Sequence, residues 1–190
     1  MNTDTYAKEL RGIFYRNAYS TLIAQVGDQL NDRKDRFDKS DIIEQAVAVY
    51  SNDRLAWVDL IGRDHVDTKT GFDLEFKYVS NGLFTKVQKL PKEFVTVKLK
   101  NSLGVHKGTT IDHPADFYMI GQQDAIAIIS WKDIKDYLVA VPDGIEARIP
   151  FDKLSFIFDF NDIDYGKELI ETDYKQIKMD AQRTLIETFL

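Results

Sequence analysis

The chain has 190 residues, 44% of them hydrophobic, and a formal net charge of −6. That length and apolar content suit one domain with a full core, and the acidic balance disfavours a protein that binds nucleic acid over its whole surface. Cysteine is absent, which excludes disulfides and thiolate metal sites and fits a reducing cytoplasm. Met1-Asn2-Thr3-Asp4 begins neither the basic segment nor the apolar run of a signal peptide. Apolar runs such as Ala125 to Ile129 are too short to span a bilayer, so a soluble cytoplasmic protein is expected.

Residues 4 to 30 read as a helix, with Leu10, Ile13, Phe14, Ala18, Leu22, Ile23 and Val26 at steps of three and four. A charged loop, 31 to 39, leads to a second helix that Asp38 or Ser40 can cap and that carries Ile42, Ile43, Ala46, Val47 and Tyr50. Leu55 to Gly62 reads as a strand whose one charge is Asp59. An unpaired buried carboxylate is costly, so Asp59 needs a partner or a metal. The polar link Arg63 to Gly71 ends in glycine and reads as the turn of a hairpin. From Thr70 to Val79 the chain alternates: Phe72, Leu74, Phe76 and Tyr78 on one face of a strand, Asp73, Glu75 and Lys77 on the other.

Ser80-Asn81-Gly82 breaks this strand, Leu83 to Leu90 reads as a short helix, and Phe94 to Lys100 is a further alternating strand. Asp116 to Ile120 and Ala125 to Trp131 flank a polar turn and have few charges, which predicts a hairpin central in a sheet. A short helix from Trp131 to Leu138, minor strands at 146–149 and 154–158, and a closing helix from 163 to 190 complete the chain. The closing helix has a stripe of Leu169 or Ile170, Tyr174, Ile177, Ala181 and Leu185. Helices, then strands, then a helix predict one α/β domain over residues 1–190, a mixed sheet with helices on both faces.

On neighbouring strands of one hairpin, Asp59 would meet Glu75 and Lys77. Converging carboxylates repel each other unless a cation lies between them. A hard divalent ion with oxygen ligands suits that position, Mg²⁺ being usual where substrate phosphates complete the shell, and the Phe76 carbonyl is a further ligand. Lys77 would then orient the attacking water, stabilise charge on the transition state, or take a proton. Together these parts describe metal-dependent phosphodiester hydrolysis. Asp64 and Asp67 are alternative partners for Glu75, although both fall in the expected turn. The plainer alternative for Asp73, Glu75 and Lys77 is a solvated sheet face with cross-strand ion pairs.

Asp59 followed by Glu75-x-Lys77 on the next strand resembles the motif of the PD-(D/E)XK nuclease superfamily, over roughly residues 40 to 131. Val58 stands where that motif has proline. The resemblance implies a restriction-endonuclease-like three-layer αβα fold, its mixed β-sheet flanked by helices, with a core of helix, three-stranded meander, helix and strand. It implies that Asp59 and Glu75 bind Mg²⁺, with Mn²⁺ as a substitute, that Lys77 assists the water, and that Glu44 on the preceding helix joins them. The implied activity is a DNA endonuclease of the type II restriction, repair or phage kind, and cutting both strands suits a homodimer. The terminal helices would be its dimer or packing elements. The alternative is an inactive nuclease-like fold that binds nucleic acid or serves as an assembly subunit.

Seven lysines from Lys77 to Lys107 face the single acid Glu93, while acid is concentrated in Asp159 to Asp173. That asymmetry marks an anion-binding segment. In it Lys86, Lys89, Lys98 and Lys100 would meet DNA phosphates, and Asn81, Asn101 or Ser102 would read base edges. His65, His106 and His113 are not spaced as a metal cluster.

Overall fold

Strand alternation and helical periodicity shape most of the molecule, which a computed structural model describes at residues 1–16, 36–52, 54–60, 62–84, 91–101, 114–122 and 125–159. Helix α1 (Thr3–Arg16) puts Tyr6, Leu10 and Phe14 on one buried stripe, and Asn2 caps it by accepting from the Asp4 amide at 2.8 Å. Helix α2 (Arg36–Tyr50) buries Ile43, Ala46 and Val47. The second half of the expected first helix, residues 85–90 and the closing helix 163–190 lie outside the described residues.

Strands β1 (Leu55–Leu60), β2 (Arg63–Asp67) and β3 (Asp73–Tyr78) form an antiparallel meander. The expected hairpin of β1 with β3 is therefore not formed: the polar link between them holds a strand of its own. Its sequence resembles a turn because its buried positions are polar, and each finds partners. Asp67 is fully buried and accepts from Arg54 Nε at 2.6 Å and from Arg54 Nη2 at 2.9 Å. It also accepts from the Tyr6 hydroxyl at 2.6 Å and from the amides of Lys69 and Thr70 at 2.9 and 3.1 Å. His65, equally buried, bonds the Glu44 carbonyl through Nε2 at 2.9 Å. The strand ends at a turn closed by the Gly71 amide on the Asp67 carbonyl at 2.7 Å, where Gly71 has φ 74°.

From β3 the chain crosses to β5 (Phe117–Gln122), which pairs parallel to β3. Strands β6 (Ala125–Ser130) and β9 (Ser155–Asp159) continue antiparallel, giving the order β1-β2-β3-β5-β6-β9. The expected 116–131 hairpin is thus β5–β6, and both strands are almost wholly buried. Helix α3 (Trp131–Ile134), capped by Ser130, is shorter than expected. A 3₁₀ turn follows it, and Leu138 already opens β7 (Leu138–Val141).

β4 (Phe94–Asn101), β8 (Gly144–Pro150) and β7 make a separate three-stranded sheet in the order β4-β8-β7. The central sheet thus has a core on each face. On one, Leu74, Phe76, Phe117 and Met119 pack with α1 and α2. On the other, Tyr118, Ile120, Ala127 and Ile129 pack with Val95, Val97, Leu99, Ala147 and Ile149 of the small sheet. The described residues are therefore a mixed α/β domain in which helices cover one face of a mixed sheet. On the second face, expected to carry helices, the described cover is the small sheet together with Ile134 of α3. No helix among them is long and apolar enough to cross a membrane.

Burial pushes the Asp67 carboxyl up, but the hydrogen bonds from Arg54, Tyr6 and two amides outweigh it and hold the pKa at about 2. Asp67→Asn should therefore cost about 3 kcal/mol in urea denaturation at neutral pH, as when one partner of a buried pair is removed. The gap between wild type and variant should be complete above the ordinary carboxylate pKa of 3.8 and close as pH falls towards about 2.

Candidate active site

The β2–β3 register pairs His65 with Leu74 and Val66 with Asp73. One step further along the same register, Asp64 stands across from Glu75. There a carboxylate replaces the backbone ladder: the Phe76 amide donates to Asp64 Oδ2 at 2.6 Å. Alternation sends Leu74 and Phe76 into the helical core, and sends Glu75 and Lys77 to the face of Tyr118 and Ile120, their partners on β5. Lys77 Nζ donates to Glu75 Oε1. Glu75 is 7% exposed, and its other oxygen, Oε2, is buried with no hydrogen-bond partner. Glu44 on α2 is also buried and accepts from Ser40 Oγ at 2.7 Å.

These groups act on one another. Burial, and then the charges of Glu75 and Glu44, push Asp64 up to about 8, with the Phe76 amide and Lys77 only partly opposing them. Burial raises Glu44 as well. Asp41 and Glu75 add to that shift, while Ser40 and, more weakly, the Trp57 indole oppose it. Tyr118, beside Glu75 on the next strand, is raised by burial and by the Glu75 charge. Asp64 thus feels the charge of Glu75 and of Glu44, with Lys77 opposing, and Asp64 and Glu44 each gain from added positive charge.

The donor set fits a hard divalent cation, since it is all oxygen and Glu75 Oε2 is an unsatisfied buried acceptor. No group of three or more His, Asp or Glu side chains among the described residues is arranged around one cation position. Asp64 and Glu75 are the described carboxylates that could hold such an ion, most of whose shell would then be water. His65 is not part of this set. Its Nε2 is engaged by the Glu44 carbonyl, and burial holds it neutral, with a pKa of about 4.

Of the residues singled out from sequence, Glu75 and Lys77 meet in a hydrogen bond, with Asp64 across from Glu75, and Glu44 stands on α2 and acts on Asp64 through its charge. Asp59 lies on β1, separated from β3 by β2, and its side chain is outside the described residues. A register irregularity between Trp57 and Leu60 removes the alternation that would assign it to a face. Phe76 contributes its amide to Asp64 and its ring to the core. Asn81 is exposed, and its carbonyl accepts from Lys92 Nζ at 2.7 Å. Lys98 is exposed on β4, whose neighbour in the small sheet is β8. Lys100 and Asn101 belong to β4 by their backbones only, and Lys86, Lys89 and Ser102 lie outside the described residues.

The signal for Asp64 was present in the sequence. Arg63, His65 and Asp67 alternate with Asp64 and Val66 between Gly62 and Gly71, a strand pattern written in polar residues. No family model, curated protein or solved structure matches this chain.

Because Asp64 keeps its proton to about pH 8 when folded but to 3.8 in a model peptide, it should make the fold less stable as pH rises between those values. Asp64→Asn should match wild type near pH 4 in thermal denaturation and exceed its Tm by several degrees at pH 8. A Tm difference that did not grow with pH would contradict the crowding of carboxylates.

Proposed function

We propose that this chain is a Mg²⁺-dependent endonuclease that hydrolyses DNA phosphodiester bonds, with Asp64, Glu75 and Lys77 at its centre and Glu44 in support. The observation that carries the reading is the Asp64–Glu75 pair: two crowded carboxylates with one unsatisfied oxygen, and a lysine two residues along the same strand. The order α2, β1–β2–β3 meander, then β5 parallel to β3 supports the PD-(D/E)XK resemblance and a restriction-endonuclease-like core. The crossover between β3 and β5 carries β4 among the described residues, where the resemblance implies a helix. Asp64 here takes the part that sequence alone assigned to Asp59.

Asp64 and Glu75 would hold the cation, with Mn²⁺ able to substitute. Once bound, the ion supplies neutralisation of phosphate charge and a lowered pKa for the attacking water. Asp64 is fixed by the Phe76 amide, so its free oxygen keeps a constant position relative to Glu75. Lys77, tethered through Glu75, presents an ammonium to the negative charge that builds on the phosphate oxygens. In the reaction a water oxygen bonds to phosphorus and the P–O ester bond breaks. The water's proton passes to a base, and the leaving oxygen takes one from solvent. Cleavage of both strands is best served by a homodimer that brings two such sites to one duplex.

A second reading is favoured by the Lys77–Glu75 contact, in which the lysine already satisfies one carboxylate oxygen. It makes the chain a nuclease-like subunit that binds nucleic acid or assembles with a partner without cutting.

Plasmid and linear DNA incubated with Mg²⁺ should be cut by the wild type. Asp64→Ala, Glu75→Ala and Lys77→Ala should each lose at least ~100-fold in rate, the scale of a lost transition-state contact. Asp59→Ala should stay near wild type. Cutting that persists in the Glu75 and Lys77 variants would remove these residues from the chemistry. A wild type that cuts no DNA and gains no thermal stability from Mg²⁺, Mn²⁺ or Ca²⁺ would favour the subunit.

A further inference from the structure

His65 stands where the ladders of β2 become irregular. On one side its pairing with Leu74 is the last rung to β3, and beyond it the Asp64 carboxylate takes the Phe76 amide. On the other side it pairs with Trp57. Between Trp57 and Leu60 the register then shifts, so that Val58 and Asp59 together stand across from Asp64. Asp64 thus lies outside the regular ladder on both sides. Two side-chain contacts hold this part of β2: the bond from the Phe76 amide to Asp64 Oδ2 at 2.6 Å, and the bond from His65 Nε2 to the Glu44 carbonyl of α2 at 2.9 Å.

Packing alone does not explain a histidine in the second contact. A carbonyl only accepts, so the ring proton is on Nε2, and the neutral imidazole leaves Nδ1 as a bare acceptor. His65 is fully buried, and Nδ1 has no hydrogen-bond partner among the described residues. An unsatisfied buried acceptor is destabilising, and an aliphatic side chain of similar volume would avoid it. What the histidine adds is a donor that reaches from β2 to α2.

We propose that His65 is a positioning residue, which ties β2 to α2 at the end of its ladder and so holds Asp64 at the separation from Glu75 that a cation needs. The inference rests on the hydrolase reading and deepens it with a residue that touches neither cation nor substrate. Without the tie, the Phe76 amide alone would restrain Asp64, and two like charges would push the strands apart.

Ca²⁺ binding, followed by calorimetry without DNA, reads this role directly. His65→Leu keeps the volume and removes the donor, and it should weaken Ca²⁺ binding about tenfold, the low end of what groups that orient metal ligands contribute. His65→Gln carries an N–H at a similar reach and should restore most of the affinity. His65→Asn, whose amide falls short of α2, should behave as His65→Leu does and replaces it if the leucine variant does not fold. Asp64→Asn should weaken binding by itself. His65→Leu added to Asp64→Asn should then cost nothing more, because the histidine acts through the aspartate.

The role is overturned if His65→Leu or His65→Asn binds Ca²⁺ as wild type does, or if His65→Gln binds as weakly as they do. It is also overturned if His65→Leu weakens binding by the same factor with and without Asp64→Asn. Any of these results, beside wild-type cleavage that Glu75→Ala abolishes, removes the positioning role and leaves the hydrolase. Ca²⁺ affinity that follows His65 and Asp64 in a protein that cuts no DNA supports the positioning role and removes the hydrolase. A wild type that neither binds Ca²⁺ nor cuts DNA overturns both.

Discussion

The ion pair between Asp67 and Arg54 fixes the register on which the rest of this fold depends. Both groups sit in the low-dielectric layer between α1 and the meander, where an unpaired charge is costly, so they come together or the region does not close. Tyr6 ties the pair to α1, and Glu9 extends it through Arg54 at 3.0 Å. With Asp67 held at the end of β2, the strand cannot slip by one residue. Such a slip would send every side chain of β2 to the opposite face. Asp64 would then point into the helical core, and the meeting with Glu75 would be lost.

Burial acts on Asp67 and Asp64 in the same direction, and their neighbours separate them. Asp67 has a guanidinium, a hydroxyl and two amides to meet its charge, and its pKa falls. Asp64 has one amide and faces two other carboxylates, and its pKa rises. The two aspartates are three residues apart on one strand and differ only in what the fold puts around them.

The central sheet carries this contrast because both of its faces are covered. A helical layer packs on one face, a small antiparallel sheet packs against β5 and β6 on the other, and Glu75 is buried on a strand whose sequence alternates as though one face were solvated. The second cover joins the β7–β8 hairpin to β4, which is distant from it in sequence and meets it only in the folded chain.

By itself the sequence determined the element types wherever hydrophobic residues keep a regular period: α1, α2, β1, β3 and the β5–β6 hairpin follow from spacing alone. It also marked Glu75 and Lys77 as sharing one face and set Glu44 on the helix before them. Only the tertiary structure decided which aspartate meets Glu75. β2 is held by ion pairs and hydrogen bonds to α1, Arg54 and α2 rather than by apolar burial, so hydropathy shows it as a loop. The partners that make its polar residues fit a strand, such as Tyr6 and Arg54, are far from it in sequence or lie beyond the turn. Neighbours across a sheet are a property of register, and register is settled by packing energy summed over the whole fold.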